Sequence, residues 1–367
     1  MSDLASKFVI AQFPVEVISK SKDKNMIKKY IVKSTEDYVS SSLPYIEFPT
    51  IDLQRLLDSD EELQKFDHAL SSLGAFQLIN HGIESFKFDQ VLNISKQFFS
   101  LPIEEKQKYA RSVSMLGGWK HDKLQGWGTD QMVETQAFNW NDRLMLTMYP
   151  IQFRNFKYWP SESVPNFRKV FEEYASETKR IKEVLFKALS KILKLPEDNL
   201  LNKYANDGTM ISRITYYPAS PYPDRMLGSS PHTDTNMFTT VLPDNEVEGL
   251  QFEKDGQWFK VPIIPYALIV NVADMLEIMT NGRVKSPVHR VATNSEKGRI
   301  SIATGIGAPP NTEIGPLKEF ITEERPQLYP YLKNSADVTA NYYAAGKIFM
   351  REVRKYGPNI LSQQFAS

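Results

Sequence analysis

The chain has 367 residues and no cysteine. That absence removes thiolate zinc sites, iron–sulfur clusters, thiol nucleophiles and any disulfide framework. Net charge is absent too. Forty-four lysines and arginines balance 44 aspartates and glutamates, and with no basic stripe a nucleic-acid partner is disfavoured. No apolar run reaches the length of a membrane span, and Met1–Lys7 lacks the apolar core of a secretory signal. A cytoplasmic enzyme acting on a small molecule, without membrane or nucleic acid, is therefore expected. Histidine is scarce, at five residues (68, 81, 121, 232 and 289), and this bounds the metal chemistry. A three-histidine zinc site would need one of the first three, which lie in segments without strand periodicity. A zinc hydrolase would also need a general base, and no H-E-x-x-H is present.

Two kinds of periodicity organise what is there. In the first half, Ser59-Asp60-Glu61-Glu62 is a capping-box pattern, followed by Leu63, Phe66, Leu70 and Leu73 on one helical face. Further helices are expected over Phe88–Phe99 and from Asn166 to about Leu193, where Val170, Tyr174, Ile181, Leu185, Leu189 and Ile192 recur at helical spacing. From Ile211 to Ile306 strands dominate. Met237–Leu242, Gly249–Phe252, Trp258–Val261 and Ala267–Val272 are short apolar or alternating runs, with Asp255-Gly256 and Asn281-Gly282 as turn signals. The tail Ala340–Tyr356 returns to a helical pattern, with Lys347, Arg351, Arg354 and Lys355 expected on a solvated face. Three regions are expected to form one unit: residues 1–205 mostly helical, 206–330 a β core, and 331–367 a helical tail.

The chemistry-bearing residues lie in the strand-rich half. In Ser230-Pro231-His232-Thr233-Asp234, the H-x-D spacing puts both ligands on one side of an extended segment, because strand side chains alternate. His289 follows after enough chain for several strands. Two imidazoles and a carboxylate are the facial set that holds Fe(II) and leaves coordination positions open for a cosubstrate and dioxygen. Arg299 and Ser301 then stand two apart on a strand. A planar guanidinium and a hydroxyl facing the same way suit one carboxylate. Tyr216-Tyr217 alternates across a strand, and one of these rings is expected to fill the core. His81, in Asn80-His81-Gly82, stands where a strand ends in a turn, far from the ligand run, and is assigned no metal. Trp127, between Gly126 and Gly128, reads either as part of a loop near the site or as a packed aromatic.

A set of motifs in a fixed order carries a family resemblance. They are Phe48-Pro49-Thr50-Ile51-Asp52-Leu53, Gly74-Ala75-Phe76-Gln77-Leu78-Ile79-Asn80-His81-Gly82, Phe98-Phe99-Ser100-Leu101-Pro102, Tyr216-Tyr217-Pro218, His232-Thr233-Asp234, Gly249-Leu250-Gln251, Asn281-Gly282, Val288-His289-Arg290-Val291 and Arg299-Ile300-Ser301. From about Phe48 to Gly357 the chain resembles the plant-type 2-oxoglutarate- and Fe(II)-dependent dioxygenases, the group of anthocyanidin synthase, flavonol synthase and alkaloid-modifying oxygenases. The resemblance implies an α+β, β-rich fold, with a double-stranded β-helix (jelly-roll) core backed by helices. It implies His232, Asp234 and His289 as iron ligands, and Arg299 and Ser301, with Tyr217 assisting, as the grip on 2-oxoglutarate. O2 is then the oxidant, with ascorbate as a reductant, and the enzyme is expected to be a monomer.

The implied reaction is oxidation of a C–H bond, by hydroxylation or O- or N-demethylation, with desaturation close behind. Asp234 argues for oxygen transfer, since halogenating relatives lack this carboxylate. Two departures bear on substrate. Thr215 stands where relatives usually carry Asn. After Ser301 the strand runs through Ile302-Ala303-Thr304-Gly305-Ile306-Gly307 without the usual bulky aromatic. A roomier pocket around Gly305 and Gly307, lined also by Phe138, Met237 and Phe238, would suit a polycyclic plant metabolite such as an alkaloid or flavonoid; a β-bulge without a role in specificity is the other reading. No further arginine or lysine adjoins these motifs to nominate an acidic substrate. The alternatives are an iron oxidase of the same fold that uses no 2-oxoglutarate, and an inactive jelly-roll binding protein.

Overall fold

The computed structural model describes residues 8–10, 13–21, 23–34, 38–39, 42–111, 125–133, 136–333, 335, 338–339, 342 and 346–360. His121 and Met1–Lys7 lie outside them. The strands are β1 (Phe8–Ile10), β2 (Thr50–Asp52), β3 (Ala75–Ile79), β4 (Gly126–Gly128), β5 (Gln131–Val133), β6 (Asp142–Tyr149), β7 (Met210–Tyr217), β8 (Leu227–His232), β9 (Phe238–Leu242), β10 (Leu250–Lys254), β11 (Gln257–Lys260), β12 (Leu268–Val272), β13 (His289–Ala292) and β14 (Arg299–Ile306). The helices are α1 (Val15–Lys20), α2 (Lys24–Lys28), α3 (Asp60–Ser72), α4 (Ser85–Ser100), α5 (Ile103–Gln107), α6 (Phe167–Ile192), α7 (Asp274–Met279) and α8 (Phe349–Tyr356).

An eight-stranded sheet in the order β2-β3-β12-β9-β14-β7-β6-β4 faces a four-stranded sheet in the order β11-β10-β13-β8. This is the expected jelly roll: two mainly antiparallel sheets enclosing an interior, with helices on the outer face of the larger one. Four strands of the large sheet, β2, β3, β4 and β6, come from the N-terminal region and flank the core strands on both sides. Strand alternation decides which residues look inward. On β14 and β7 the register pairs Arg299 with Tyr217, Ser301 with Thr215, and Ala303 with Arg213, so these six share one face. Gly249 and Gly228 on the opposing sheet leave room for them. A Cβ at Gly249 would stand 3.2 Å from Arg299 Cδ, and one at Gly228 2.6 Å from the Tyr217 ring. Phe48, Val241, Phe252, Val261 and Ile269 pack together between the sheets.

Helix formation follows the sequence signals closely. Ser59 Oγ accepts the Glu62 amide at the start of α3, but Glu62 turns its carboxylate to the Asp52 amide, so only half of the capping box forms. On α6, Phe167, Phe171, Tyr174, Ile181, Leu185, Phe186 and Leu189 are buried against α4 and the large sheet. Each such side chain contributes roughly 1.5–3 kcal/mol of apolar burial. Among the described residues, no helix is long and apolar enough to cross a membrane. At Asp255-Gly256 both residues have positive φ (51° and 76°), the twist of a two-residue hairpin between β10 and β11. Asn281-Gly282 instead ends a helix, because Leu276–Met279 lies in α7, with all six of its residues buried.

Two expectations need correcting here. Gly305 and Gly307 leave no spare volume: a Cβ at Gly305 would stand 2.2 Å from the Asn236 amide, and one at Gly307 2.8 Å from Thr209 Oγ1. The polar side chains beside them already fill the space. The basic face of the tail is not simply solvated either. Arg351 pairs with Glu253, and Arg354 reaches the fully buried Glu277 through Nε at 2.8 Å and Nη2 at 2.6 Å.

Candidate active site

His232 closes β8 and His289 opens β13, directly opposite each other in the register. Their rings lie 4.2 Å apart between centroids. The strand ends at His232, so Asp234 is supplied by the turn beyond it rather than by an extended segment. That turn is fixed by the start of α7, where the Asp274 amide donates to the Asp234 carbonyl at 2.9 Å. Asp234 Oδ1 stands 3.8 Å from His232 Nε2 and 3.5 Å from His289 Nε2. The three ligand atoms all fall within 4.8 Å of one another. Each imidazole spends its Nδ1 on a carbonyl, Ser230 O at 2.7 Å for His232 and Pro287 O at 3.1 Å for His289, which turns Nε2 inward. Asn271 Nδ2 steadies the other oxygen of Asp234 at 3.2 Å.

The electrostatics favour a divalent cation. Burial, reinforced by His289, holds the His232 pKa down to about 4, so this imidazole is neutral at neutral pH. Burial would raise Asp234, but the two histidines outweigh it and hold the carboxyl well below its ordinary range. Two neutralisable nitrogens and an anionic oxygen, converging in a partly buried cleft, are the donor set of a non-haem Fe(II) site.

Along the same inner face, Arg299 is 4% exposed. Its Nε donates to Val247 O at 3.2 Å, and its guanidinium lies 5.3 Å from the centre of the Tyr217 ring. Nη1 is buried without any hydrogen-bond partner, and no described carboxylate pairs with the group. A buried, uncompensated guanidinium is costly unless an anion meets it. Ser301 follows on the same face, 6% exposed. These residues fit a cosubstrate that carries a carboxylate and reaches from this end of the barrel to the metal.

The histidine-bearing segments are tied together from behind. Asp274 accepts Ser286 Oγ at 2.7 Å and Thr233 Oγ1 at 3.2 Å, bridging the stretches that lead into His289 and flank His232. Glu277 accepts the Ser286 amide, Tyr329 O–H and Arg354.

Residues 208–307 match the 2OG-Fe(II) oxygenase superfamily, and residues 48–162 match the N-terminal region of non-haem dioxygenases in morphine synthesis. Protein SRG1 of Arabidopsis thaliana is 37% identical over 286 residues, spanning 76% of this chain and 77% of that protein. The chain is a 2OG-Fe(II) oxygenase. Within the superfamily it is similar to codeine O-demethylase of Papaver somniferum, 37% identical over 77% of each chain. It is also similar to flavonol synthase/flavanone 3-hydroxylase of Eustoma exaltatum, 36% identical over 81% of this chain and 87% of that one. The crystal structure of JOX2 in complex with 2OG, Fe and JA superposes with a TM-score of 0.80 at 29% identity, covering 96% of this chain and 97% of that chain. The enzyme is thus a dioxygenase of the plant group, with Fe(II) and 2-oxoglutarate as its cofactor and cosubstrate.

Not every residue expected at the site of this oxygenase is there. His232, Asp234 and His289 converge, and Arg299, Ser301 and Tyr217 share the inner face. Phe238 is fully buried on the outer face of β9, with its ring 5.4 Å from that of Phe186 on α6. Its inward neighbours are Thr239 and Val241, so the sequence reading had the wrong parity of the strand. Met237 is likewise buried in the main core. Phe138 packs edge-on against Tyr30, at 5.7 Å, in a cluster formed with N-terminal residues. His81 is structural: its ring bonds the Tyr266 carbonyl and the Ile83 amide. Trp127 is a packed aromatic, 4% exposed.

Sequence reading also missed a charged neighbour of the site. Arg213 continues the alternation of Tyr217 and Thr215 toward the level of the metal, and its Nε donates to Thr215 Oγ1 at 3.2 Å. The expectation that no extra arginine adjoins the motifs is therefore wrong. Counting back by two from Tyr217 would have found it.

Proposed function

We propose that this oxygenase binds Fe(II) through His232, Asp234 and His289, and anchors the distal carboxylate of 2-oxoglutarate on Arg299 and Ser301 beside Tyr217. The substrate is a bulky specialised plant metabolite, and the reaction is hydroxylation or O- or N-demethylation at a C–H bond. When bound, the iron and 2-oxoglutarate activate dioxygen, and the cosubstrate leaves as succinate and CO2. The chain supplies position and dryness. Carbonyls at Ser230 and Pro287 aim the imidazoles, Asn271 orients Asp234, and the apolar wall formed by Val241, Ile269 and Phe252 excludes water from the closed part of the barrel. The observation that carries the reading is the orphaned Nη1 of buried Arg299 on the inner face shared with the triad. The demethylase and flavonol synthase relatives support the substrate class.

Anaerobic titration with Fe(II) and 2-oxoglutarate tests it. A visible charge-transfer band is expected only with both present, and Arg299→Ala should raise the 2-oxoglutarate midpoint at least tenfold. Tight iron binding with no band would point to an oxidase that uses no 2-oxoglutarate. Failure to bind iron would leave a binding protein.

A further inference from the structure

Beside the metal site, on the same inner face, stands a group of charged residues that this chemistry does not use. Arg143 on β6 pairs with Thr215, and Met145 with Arg213, so Arg143 and Arg213 look into the barrel together. Strand β4 extends that face with Gly126 and Gly128 opposite Met145 and Arg143. The missing side chains matter, because Arg111 occupies their place. A Cβ at Gly128 would stand 3.3 Å from Arg111 Nε, and one at Gly126 2.8 Å from Arg111 Cα.

Among the described residues, one carboxylate serves the group. Asp130 accepts Arg143 Nε at 2.9 Å, Arg213 Nη1 at 2.9 Å and Nη2 at 2.8 Å, and Asn139 Nδ2 at 3.1 Å. Asn139 Oδ1 in turn accepts the amide and hydroxyl of Ser230, whose carbonyl orients His232. The cluster is therefore connected to an iron ligand by a short chain of hydrogen bonds.

Among the described residues, three guanidiniums surround one acid. Arg143 Nη1 and Arg111 Nη2 are buried without a hydrogen-bond partner. Burial and the neighbouring Arg111 push the Arg143 pKa down to about 9, so the pocket holds this cation at a cost. Purely structural ion clusters are usually neutralised and fully bonded, because an unpaired buried charge is destabilising. Arg213, with 26% of its side chain exposed against 5% for Arg143, gives the group an accessible edge.

We propose that Arg111, Arg143 and Arg213 form the receptor for a carboxylate on the organic substrate, so that this oxygenase acts on an organic acid and discriminates against the neutral ester and the amine. The inference rests on the oxygenase reading and narrows its substrate class.

The probes are 2-naphthoate, its methyl ester and 2-naphthylmethylamine. Each is titrated calorimetrically into the anaerobic enzyme with Fe(II) and saturating 2-oxoglutarate, which occupies Arg299. The acid is expected to bind at least tenfold more tightly than the ester, with no measurable binding of the amine. Arg143→Gln and Arg111→Gln should each reduce the preference to under threefold while leaving the 2-oxoglutarate midpoint unchanged. Arg111 makes no hydrogen bond to Asp130, so its variant keeps the test intact if Arg143→Gln fails to fold. Equal binding of acid and ester, no binding of either, or a preference that survives in Arg111→Gln would overturn the proposal and leave the cluster as a tie between strands. Recording the charge-transfer band on the same enzyme separates the two readings. An acid preference with no charge-transfer band sinks the cosubstrate assignment but not the receptor.

Discussion

Behind His289, two carboxylates and one guanidinium form a closed network: Asp274 and Glu277 between them accept Thr233, Ser286, Tyr329 and Arg354. Beside His232 the proportions are reversed: among the described residues, Asp130 faces Arg111, Arg143 and Arg213. No buried side-chain nitrogen or oxygen of the first network is left without a partner, whereas two buried guanidinium nitrogens of the second are. Both are buried and both reach an iron ligand through a backbone segment. The difference is completeness. A network that only holds shape gains from satisfying every donor, and one that receives a ligand must keep donors in reserve.

The sharpest way to break this contrast is to open the closed network. Arg354→Ala leaves the Glu277 carboxylate buried without its cation. With allowance for the partial exposure of Arg354, the loss should be roughly 2–4 kcal/mol in urea unfolding. Weaker Fe(II) binding should accompany it, because Ser286 precedes His289. A small loss would mean that this network is not what holds the His289 segment.

Asp142, next to Arg143 but on the other face of β6, offers a third case. It accepts the Val15 and Glu16 amides at 2.8 and 2.9 Å, and burial pushes its pKa up to about 7. A raised folded-state pKa means that the native chain binds a proton more tightly than the unfolded chain. Stability from this group is therefore greatest below the unfolded value near 4 and declines as pH rises through about 7. Asp142→Asn should flatten the fall in melting temperature between pH 5 and 8; an unchanged slope would assign the dependence elsewhere.

Much of this was legible, and the limits were physical. The H-x-D, the distant His289 and the R-x-S are local patterns whose side chains must converge for their chemistry, so sequence spacing carried them. Helix ends followed caps and turn residues. What failed depended on parity or on distant partners. Nothing near Phe238 says which face of β9 meets α6, and nothing near Arg354 announces Glu277. Gly305 was misread because the Asn236 side chain, folded over it from a preceding turn, cannot be inferred from the strand. Gly305→Ala should cost roughly 1–3 kcal/mol through that contact. If it costs nothing, the Asn236 amide can move and the space is available after all.

The smallest expected effect sharpens the comparison from the other side. Arg111→Gln removes a cation with an unpartnered nitrogen, and unfolding should shift by less than about 0.5 kcal/mol. A loss as large as that of Arg354→Ala would make both networks structural.

The sheet order has a practical consequence. Residues 208–307 carry the triad and the R-x-S, but β3 covers one side of β12 and β6 covers one side of β7. Excised alone, this segment would present two long, apolar ladders with unpaired amides and carbonyls, the usual seed of edge-to-edge aggregation. A minimal version of the enzyme must therefore keep its flanking strands, whatever it does with its loops.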